Sequence, residues 1–291
     1  MNPFLETKDP TDSDESLILQ IQSGDKAALE KLVLRHQAWI YNIILRMVYQ
    51  PHDAEDATQE VLVKVITKLD SFKGRSAFRT WIYRIALNHI LNVKKIPAEK
   101  MVSTFSQYGD ELDMIPDQDP SDLGMNKAEF MLLVEEARVS CIHGMLLCLE
   151  REQRLIFVLG DILNVHSQMG AKLMDMSADN FRQRLTRARK DLFTFMDQKC
   201  GLVNKNNACR CAKKTKGFIK AGIVNPDSLT FHSEYINKIT ELTPVAAEEV
   251  DNLEDSVYSS EYKNTPFIQN DAFIDGLKEM LTQSVLNKNS H

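Results

Sequence analysis

The chain has 291 residues, of which 43% are hydrophobic and 26% charged, and it carries a formal net charge of −6. This length is enough for two small domains with extensions, each with its own core. No apolar run approaches the roughly 20 residues that cross a bilayer, and no charged start precedes an apolar stretch, so we expect no membrane insertion, no signal peptide and a cytoplasmic protein.

Helical patterns predict an all-α protein whose first domain covers residues 15–97, after a disordered N-terminus over residues 1–14. Gly24 and Asp25 mark a turn or cap between its opening helices. A later helix is predicted where carboxylates crowd the start, because they suit the positive end of the helix dipole. These residues are Asp53, Glu55 and Asp56, followed on the polar side by Gln59 and Glu60. An apolar stripe from Ala57 to Leu69 packs this helix, so its polar side is left to a partner.

Aromatic and basic side chains are interleaved over residues 72–95. Aromatic rings stack on unpaired bases and cations follow phosphates, so this pattern favours contact with single-stranded nucleic acid. The candidates are Phe72, Lys73, Phe78, Arg79, Trp81, Arg84, Asn88 and His89. Trp81 also shares a helical spacing with Ile82, Ile85 and Leu91 that is typical of a core, so a base-stacking role and a structural role for Trp81 both stay open.

Charge is unevenly distributed along the chain. Residues 98–125 are acidic and hold several Asp and Pro residues, which predicts a flexible linker. Residues 182–220 carry 12 Lys or Arg against two Asp, a basic footprint of the kind that nucleic acid attracts. Residues 222–291 form an acidic tail with a predicted terminal helix, and we hypothesise that this tail folds back on the basic surface. Removing the residues after Lys220 would test this through a change in DNA affinity.

A second domain is predicted over residues 126–198, with two helices followed by the layout of a helix-turn-helix. The turn lies near Asp175, Ser177 caps the next helix, and Phe181, Leu185, Ala188 and Leu192 form its core stripe. Recognition helices present their first residues to bases while flanking cations hold phosphates. Asn180, Arg182 and Gln183 are the candidates for base contact, and Arg184, Arg187 and Arg189 for backbone or mixed contact.

Residues 199–221 form an extension rich in cysteine and lysine. The five cysteines of the chain are odd in number, which disfavours a disulfide framework. Cys200, Cys209 and Cys211 could bind zinc with a fourth ligand such as His232, Cys148 or an exogenous group. Two alternatives stay open: a redox-responsive pair whose thiol pKa is lowered by the lysines, and an ordered basic extension with incidental cysteines.

A resemblance to region 2 of the sigma-70 family, in its short extracytoplasmic-function type, is carried by DAEDATQEV and FKGRSAFRTWIYRIALN. In that family the acidic helix docks on a coiled coil of the largest RNA polymerase subunit. The following loop and helix melt and read the minus-ten promoter element. The resemblance therefore implies that the group from Asp53 to Glu60 faces polymerase and that the aromatic and basic group faces DNA.

The second domain is similar to region 4 of the same family, through EREQRLIFVL, the helix-turn-helix and RLTRARKDL. Region 4 reads the minus-thirty-five element and touches the polymerase flap. Asp175 departs from the family pattern because a Gly is common there, and Gly170 stands where an apolar residue is common. Asp tolerates a left-handed backbone at some cost, so we expect the fold to survive. In total the resemblance covers residues 15–95 and 127–197.

The resemblance implies a sigma factor, a non-enzymatic subunit that joins core RNA polymerase and brings it to promoter DNA without a cofactor. Whether an anti-sigma factor is a further partner stays open. The main alternative is a helix-turn-helix regulator that binds duplex DNA without polymerase, which would not need the acidic helix. An RNA-binding or scaffold protein is a third reading that leaves the second domain unexplained. Catalysis finds no support, since the sequence has no P-loop, dinucleotide turn, H-E-x-x-H or nucleophile elbow.

Overall fold

The computed structural model describes residues 13–93, 99, 104–118, 126–231 and 273–278. Within these ranges the regular structure is helical, apart from one isolated bridge between Cys200 and Cys209, so the predicted all-α class is confirmed. The chain divides into two compact units. The first holds residues 1–96, 163–182 and 267–291, and the second holds residues 97–162 and 183–266. One cut falls at the predicted boundary near residue 97, but the division also places the start of the helix-turn-helix in the first unit.

Four helices make up most of the first unit. They are α1 (Asp14–Gln22), α2 (Lys26–Val48), α3 (Pro51–Lys68) and α4 (Phe78–Asn92), with a short 3₁₀ turn (Leu69–Ser71) after α3. The Asp25 carboxylate accepts the backbone N–H groups of Ala27 and Ala28, which confirms the predicted cap before α2. Most of α2 is buried because α1, α3 and α4 all pack against it. The polar side of α3 is thereby presented on a fixed scaffold.

A buried carboxylate ties α1 to α2 and α4. Asp14 Oδ1 accepts from Arg35 Nη1 at 2.8 Å, Asp14 Oδ2 accepts from Arg79 Nε at 2.9 Å, and His36 Nε2 lies 3.2 Å from Oδ2. Burial raises the pKa of Asp14, but His36, Arg79 and Arg35 together outweigh it and hold this pKa well below its ordinary value. The charged form of Asp14 therefore stabilises the first unit.

Asp14→Asn is expected to lower the free energy of unfolding by about 3 kcal/mol at pH 7, because it removes the carboxylate that compensates two arginines. The native pKa is depressed, so this contribution is fully present above the unfolded pKa of about 4 and is lost progressively as pH falls from there toward the native pKa. Urea denaturation of both proteins at pH 7 and at about pH 2 measures it. A difference between wild type and variant that stays the same at the two pH values would contradict the assignment.

The second unit is built from α5 (Phe105–Met114), α6 (Lys127–Leu147), α7 (Arg151–Phe157), most of α9 (Ala178–Lys199) and α10 (Cys211–Lys220). A π-helical turn (Val158–Ile162) continues α7. Asn126 and Glu129 form a capping box at the start of α6. The two helices predicted ahead of the helix-turn-helix are confirmed as α6 and α7. The helix between α7 and α9 is α8 (Ser167–Met174), and it belongs to the first unit.

The prediction of a flexible linker over residues 98–125 is wrong where the structure describes it. Thr104 caps α5, and Tyr108 and Leu112 are buried. Tyr108 Oη donates to the Cys141 carbonyl at 3.0 Å, which holds α5 against α6. Glu99 is also buried and accepts from Arg154 Nη1 at 3.0 Å. These contacts outweigh the acidic composition that suggested a linker.

The described part of the C-terminal extension, up to residue 231, packs against α6. The Glu136 carboxylate on α6 accepts the backbone N–H groups of Thr230 at 2.6 Å and Phe231 at 3.0 Å, and the Phe231 ring stacks on His143 at 4.6 Å. Of the predicted terminal helix, residues 273–278 are described and are helical. The ring centroid of Phe273 lies 5.9 Å from that of Tyr41 on α2. Residues 232–272 and 279–291 of the acidic tail lie outside the described residues, as do residues 1–12 of the N-terminus predicted to be disordered. The prediction is wrong at Ser13 and Asp14, because Ser13 caps α1 and Asp14 is its first residue. No helix in the described ranges is long and apolar enough to cross a membrane.

Candidate nucleic-acid and protein interfaces

The acidic side of α3 is formed because most of its apolar residues face the core, with Val63 as an exposed exception. Ala54, Ala57, Val61, Leu62 and Val65 are buried. Of the polar residues predicted to face a partner, Asp56, Gln59 and Glu60 are exposed, and Asp53 and Glu55 are half-buried. The Asp56 and Glu60 side chains are 66% and 62% exposed. Pro51 occupies the first turn of α3, which suits a residue without a backbone N–H. This side can accept a basic protein surface.

Three aromatic rings form one cluster where the loop after α3 meets α4. The ring centroids of Phe72, Phe78 and Trp81 lie 5.3–5.5 Å apart. Phe78 is 0% exposed, so its predicted contact with DNA is corrected: the ring is a core residue that supports the other two. Phe72 and Trp81 are half-buried. Trp81 therefore packs in the cluster and still offers part of its ring to a ligand.

Two of the predicted DNA-facing arginines have partners within the first unit. Arg79 is bound to Asp14, and its side chain is only 16% exposed. Arg84 is exposed, and its Nε donates to the Lys172 carbonyl on α8 at 2.9 Å. Lys73, in the loop before α4, is exposed beside the aromatic cluster. Lys73 thus presents its charge directly, whereas Arg79 first serves to hold α1 and α4 together.

Asn88 and His89 line a shallow groove between α3 and α4 together with Lys64 and Lys68. His89 Nδ1 lies 2.5 Å from Lys64 Nζ, and His89 Nε2 lies 3.5 Å from a Glu60 carboxylate oxygen. Burial and the Lys64 ammonium lower the pKa of His89, whereas Glu60 raises it. Sequence reasoning missed the two lysines, although their i, i+4 spacing on the exposed side of α3 was a usable signal. The groove adds positive charge beside the aromatic cluster.

The helix-turn-helix is formed by α8, a tight turn and α9. Asp175 adopts a left-handed backbone with φ 54° and ψ 47°, as the sequence predicted for the position where a glycine is common. Ser177 Oγ accepts the backbone N–H of Asn180 at 3.2 Å, which confirms the predicted cap. The predicted core stripe of Phe181, Leu185, Ala188 and Leu192 is buried throughout. These contacts fix the direction in which the basic helix leaves the turn.

Gly170 departs from the family pattern for a packing reason. A Cβ atom at Gly170 would lie 2.5 Å from carbons of the Phe181 ring, which is itself fully buried. The glycine on α8 therefore makes room for a large aromatic at the start of α9.

Gly170→Ala is expected to destabilise the protein by about 1–3 kcal/mol, because overpacking outweighs the better helix propensity of alanine. The double variant Gly170→Ala with Phe181→Leu should regain part of this loss through the smaller side chain. Thermal unfolding of the wild type, both single variants and the double variant measures the coupling. Equal stability of Gly170→Ala and the wild type would contradict the packing argument.

The basic residues of α9 lie outside its buried stripe, with Arg184 half-buried, and several already meet acids. Arg184 Nη1 lies 2.6 Å from Glu152, and Arg189 Nη2 lies 2.7 Å from Asp161. Arg182 pairs with Asp179 and donates to Ser167 Oγ at 3.1 Å. Gln183 and Arg187 are exposed, and Asn180 is half-buried. The Arg182–Asp179 and Arg184–Glu152 pairs are exposed and contribute about 0–1 kcal/mol each, so a phosphate can replace their carboxylates at little cost, whereas Asp161 is only 14% exposed.

Burial dominates the cysteine-rich extension, against the prediction that nearby lysines lower the thiol pKa. Burial raises the pKa of Cys209 to about 11, outweighing the lowering effect of Lys214 and Arg210. Burial also raises the pKa of Cys211. The thiols are therefore protonated at neutral pH, which makes them poor nucleophiles and argues against the redox-responsive pair.

Comparison with known proteins gives a consistent result. Residues 32–95 match the family described as Sigma-70 region 2. The RNA polymerase sigma-H factor of Pseudomonas aeruginosa is 42% identical over 81 residues, which are 28% of this chain and 42% of that protein. The ECF RNA polymerase sigma-E factors of Haemophilus influenzae and Escherichia coli K12 are 28% and 29% identical over 183 and 182 residues. Those alignments cover 61% of this chain and 92% and 91% of the relatives, so the similarity extends well beyond residues 32–95.

Proposed function

Because the chain belongs to the sigma-70 family, in its extracytoplasmic-function type, we propose that it joins core RNA polymerase, directs it to particular promoters and helps to open the duplex. Its general role is that of an RNA polymerase sigma factor in transcription initiation, a non-enzymatic one that works in the cytoplasm beside the polymerase. The observation that carries the finer proposal is the joint presence, in one four-helix scaffold, of an exposed acidic side and an aromatic and basic surface.

The polymerase face is assigned to the acidic side of α3. Asp56, Gln59 and Glu60 are exposed on a helix whose opposite side is anchored in the core, so a partner meets them without unfolding the unit. Asp53 and Glu55 extend the same charge toward the start of the helix. A basic, helical surface such as a coiled coil gives the charge complementarity that steers association and fixes register.

The minus-ten face is assigned to the loop before α4 and to α4 itself. Phe72 and Trp81 offer partly exposed rings on which an unpaired base can stack, while Lys73 and the groove lysines Lys64 and Lys68 offer charge to phosphates. Asn88 and His89 lie in the same groove. Phe78 and Arg79 support this face from within the unit.

The minus-thirty-five face is assigned to the helix-turn-helix. Ser177 begins the helix, and Asn180, Arg182 and Gln183 lie in its first turns, where recognition helices meet base edges in the major groove. Arg187 and Arg189, which are exposed, and Arg184, which is half-buried, follow in the next turns and are proposed to hold phosphates.

Transcription in vitro tests the proposal. Core RNA polymerase with this chain should start transcripts from a limited set of promoters in a genomic template, and the mapped start sites should share two elements separated by a constant spacing. Core polymerase alone is the control. A chain that binds duplex DNA but neither joins core polymerase nor supports initiation would instead fit the regulator that acts without polymerase.

A further inference from the structure

Four of the five cysteines, from separate parts of the chain, line one cavity of about 280 Å³ in the second unit. Cys141 comes from α6, Cys200 directly follows α9, Cys209 lies two residues before α10, and Cys211 is the first residue of α10. Cys200, Cys209 and Cys211 are close together in the sequence. Cys141 lies 59 residues before Cys200, so the sequence did not indicate that it joins them. Cys148, the fifth cysteine, is not among the lining residues.

The backbone holds these four positions around the cavity. Cys200 and Cys209 form a parallel bridge, in which Gly201 N–H donates to the Cys209 carbonyl at 3.1 Å. Cys211 is the first residue of α10, and α10 packs along α6, the helix that carries Cys141. The carbonyl of Cys141 is in turn fixed by Tyr108. The convergence of the four cysteines is therefore a property of the packing, not of one flexible loop.

Two cationic side chains, Arg138 and Lys214, line the same cavity as the four cysteines. Their charges would partly offset the negative charge of metal-bound thiolates. Metal binding would displace the protons that the buried thiols carry at neutral pH.

We propose that this cavity is a structural zinc site with Cys141, Cys200, Cys209 and Cys211 as its four ligands. Four sulfur ligands and tetrahedral geometry are the hallmark of closed, structural zinc sites, which leave no position for a substrate. The ion would balance the negative charge of four converging thiolates. Cys141 takes the place of the fourth ligand for which Cys148, His232 or an exogenous group was considered from the sequence.

Ligation needs the sulfurs to move toward one another. In the described ranges, no three His, Cys, Asp or Glu side chains already stand at the spacing of a finished metal site. Each cysteine has one side-chain torsion with three staggered rotamers, so rotation about Cα–Cβ redirects the sulfurs into the cavity they share. The bound ion would clamp the loop between α9 and α10 onto α6, immediately beyond the C-terminal end of the basic helix.

The test is metal analysis of the full-length chain. Protein purified under reducing conditions should contain about one zinc ion per chain, and Cys209→Ser and Cys211→Ser should each lose most of it. Cys148→Ser is the matched control, because it removes a cysteine outside the cavity, and it should keep its zinc. Circular dichroism identifies any variant that fails to fold.

Thiol alkylation of the wild type gives a second measurement that needs no variant. With Zn²⁺ present, four of the five cysteines should be protected, and a chelator should expose them together. The proposal is overturned by a wild-type chain that takes up no zinc when Zn²⁺ is added, by iron or copper bound in its place, by a Cys200–Cys209 disulfide in the reduced preparation, or by equal zinc loss in Cys148→Ser.

Discussion

Replacing Asp56 and Gln59 with arginine is expected to weaken binding to core RNA polymerase by about 10- to 100-fold while the fold stays intact. Both side chains are exposed on the polar side of α3, and the buried side of the helix is untouched. Two arginines facing a basic partner place like charges together, which costs several kcal/mol at an interface. Biolayer interferometry with immobilised core polymerase measures the dissociation constant, and thermal unfolding verifies the fold.

A matched control separates the acidic side from net charge. Asp70→Arg raises the net charge by two units, against three for the double variant, at an exposed position beyond α3, in the 3₁₀ turn. This variant should bind core polymerase within about threefold of the wild type, since exposed charges more than a Debye length from a contact are largely screened. Equal weakening by Asp70→Arg, or full retention of binding by the double arginine variant, would remove α3 as the polymerase face.

Phe78→Ala should destabilise the protein by about 3–5 kcal/mol, the largest loss of stability that we expect from a single change. The ring is fully buried and lies within 5.8 Å of Phe72, Trp81 and His36, so its removal leaves a cavity where the loop meets α4. Urea denaturation gives the free energy of unfolding. Phe78→Leu, which refills much of the space, should recover about half of the loss or more.

Comparing Trp81→Ala with Phe78→Ala separates a structural role of the tryptophan from a role in base stacking. Trp81 is half-buried, so we expect a smaller loss of stability than for Phe78→Ala but a clear defect in promoter opening. A template with a pre-melted minus-ten element should restore transcription by Trp81→Ala. If Trp81→Ala is as unstable as Phe78→Ala and transcribes normally when folded, the role of the tryptophan is structural alone.

Local features were predictable from the sequence because short-range chemistry decides them. Ser177 caps α9, and Asp175 takes the left-handed backbone at the turn. The apolar stripe of α9 is buried as its spacing required. The cap and the turn depend on residues within one helical turn of one another, and the stripe follows from the regular period of one helix.

Tertiary contacts decided what the sequence could not. Arg79 meets Asp14 across 65 residues, so a cation predicted to face DNA became part of an internal network. Phe78 and Trp81 carry the same aromatic signal in the sequence, and only packing separates the buried ring from the half-buried one. Helix α5 was not predicted because the acidic composition of this segment suggested a flexible linker. Phe105, Tyr108 and Leu112 nevertheless have helical spacing, and Tyr108 and Leu112 are buried. Cys141 joined the other cysteines through the packing of α6 against α10.

On the proposed minus-thirty-five face, the acids paired with the arginines of α9 would make DNA binding an exchange of ionic partners. When a phosphate displaces Glu152 from Arg184, or Asp161 from Arg189, the freed carboxylate attracts a cation from solution. That uptake offsets the counterion that the phosphate releases, so each such contact contributes less than one unit to the salt dependence of binding. Arg187 is exposed and enters no such exchange with Glu152 or Asp161. The slope of affinity against salt will therefore undercount the arginines that touch the duplex, and Glu152→Gln should make that slope steeper.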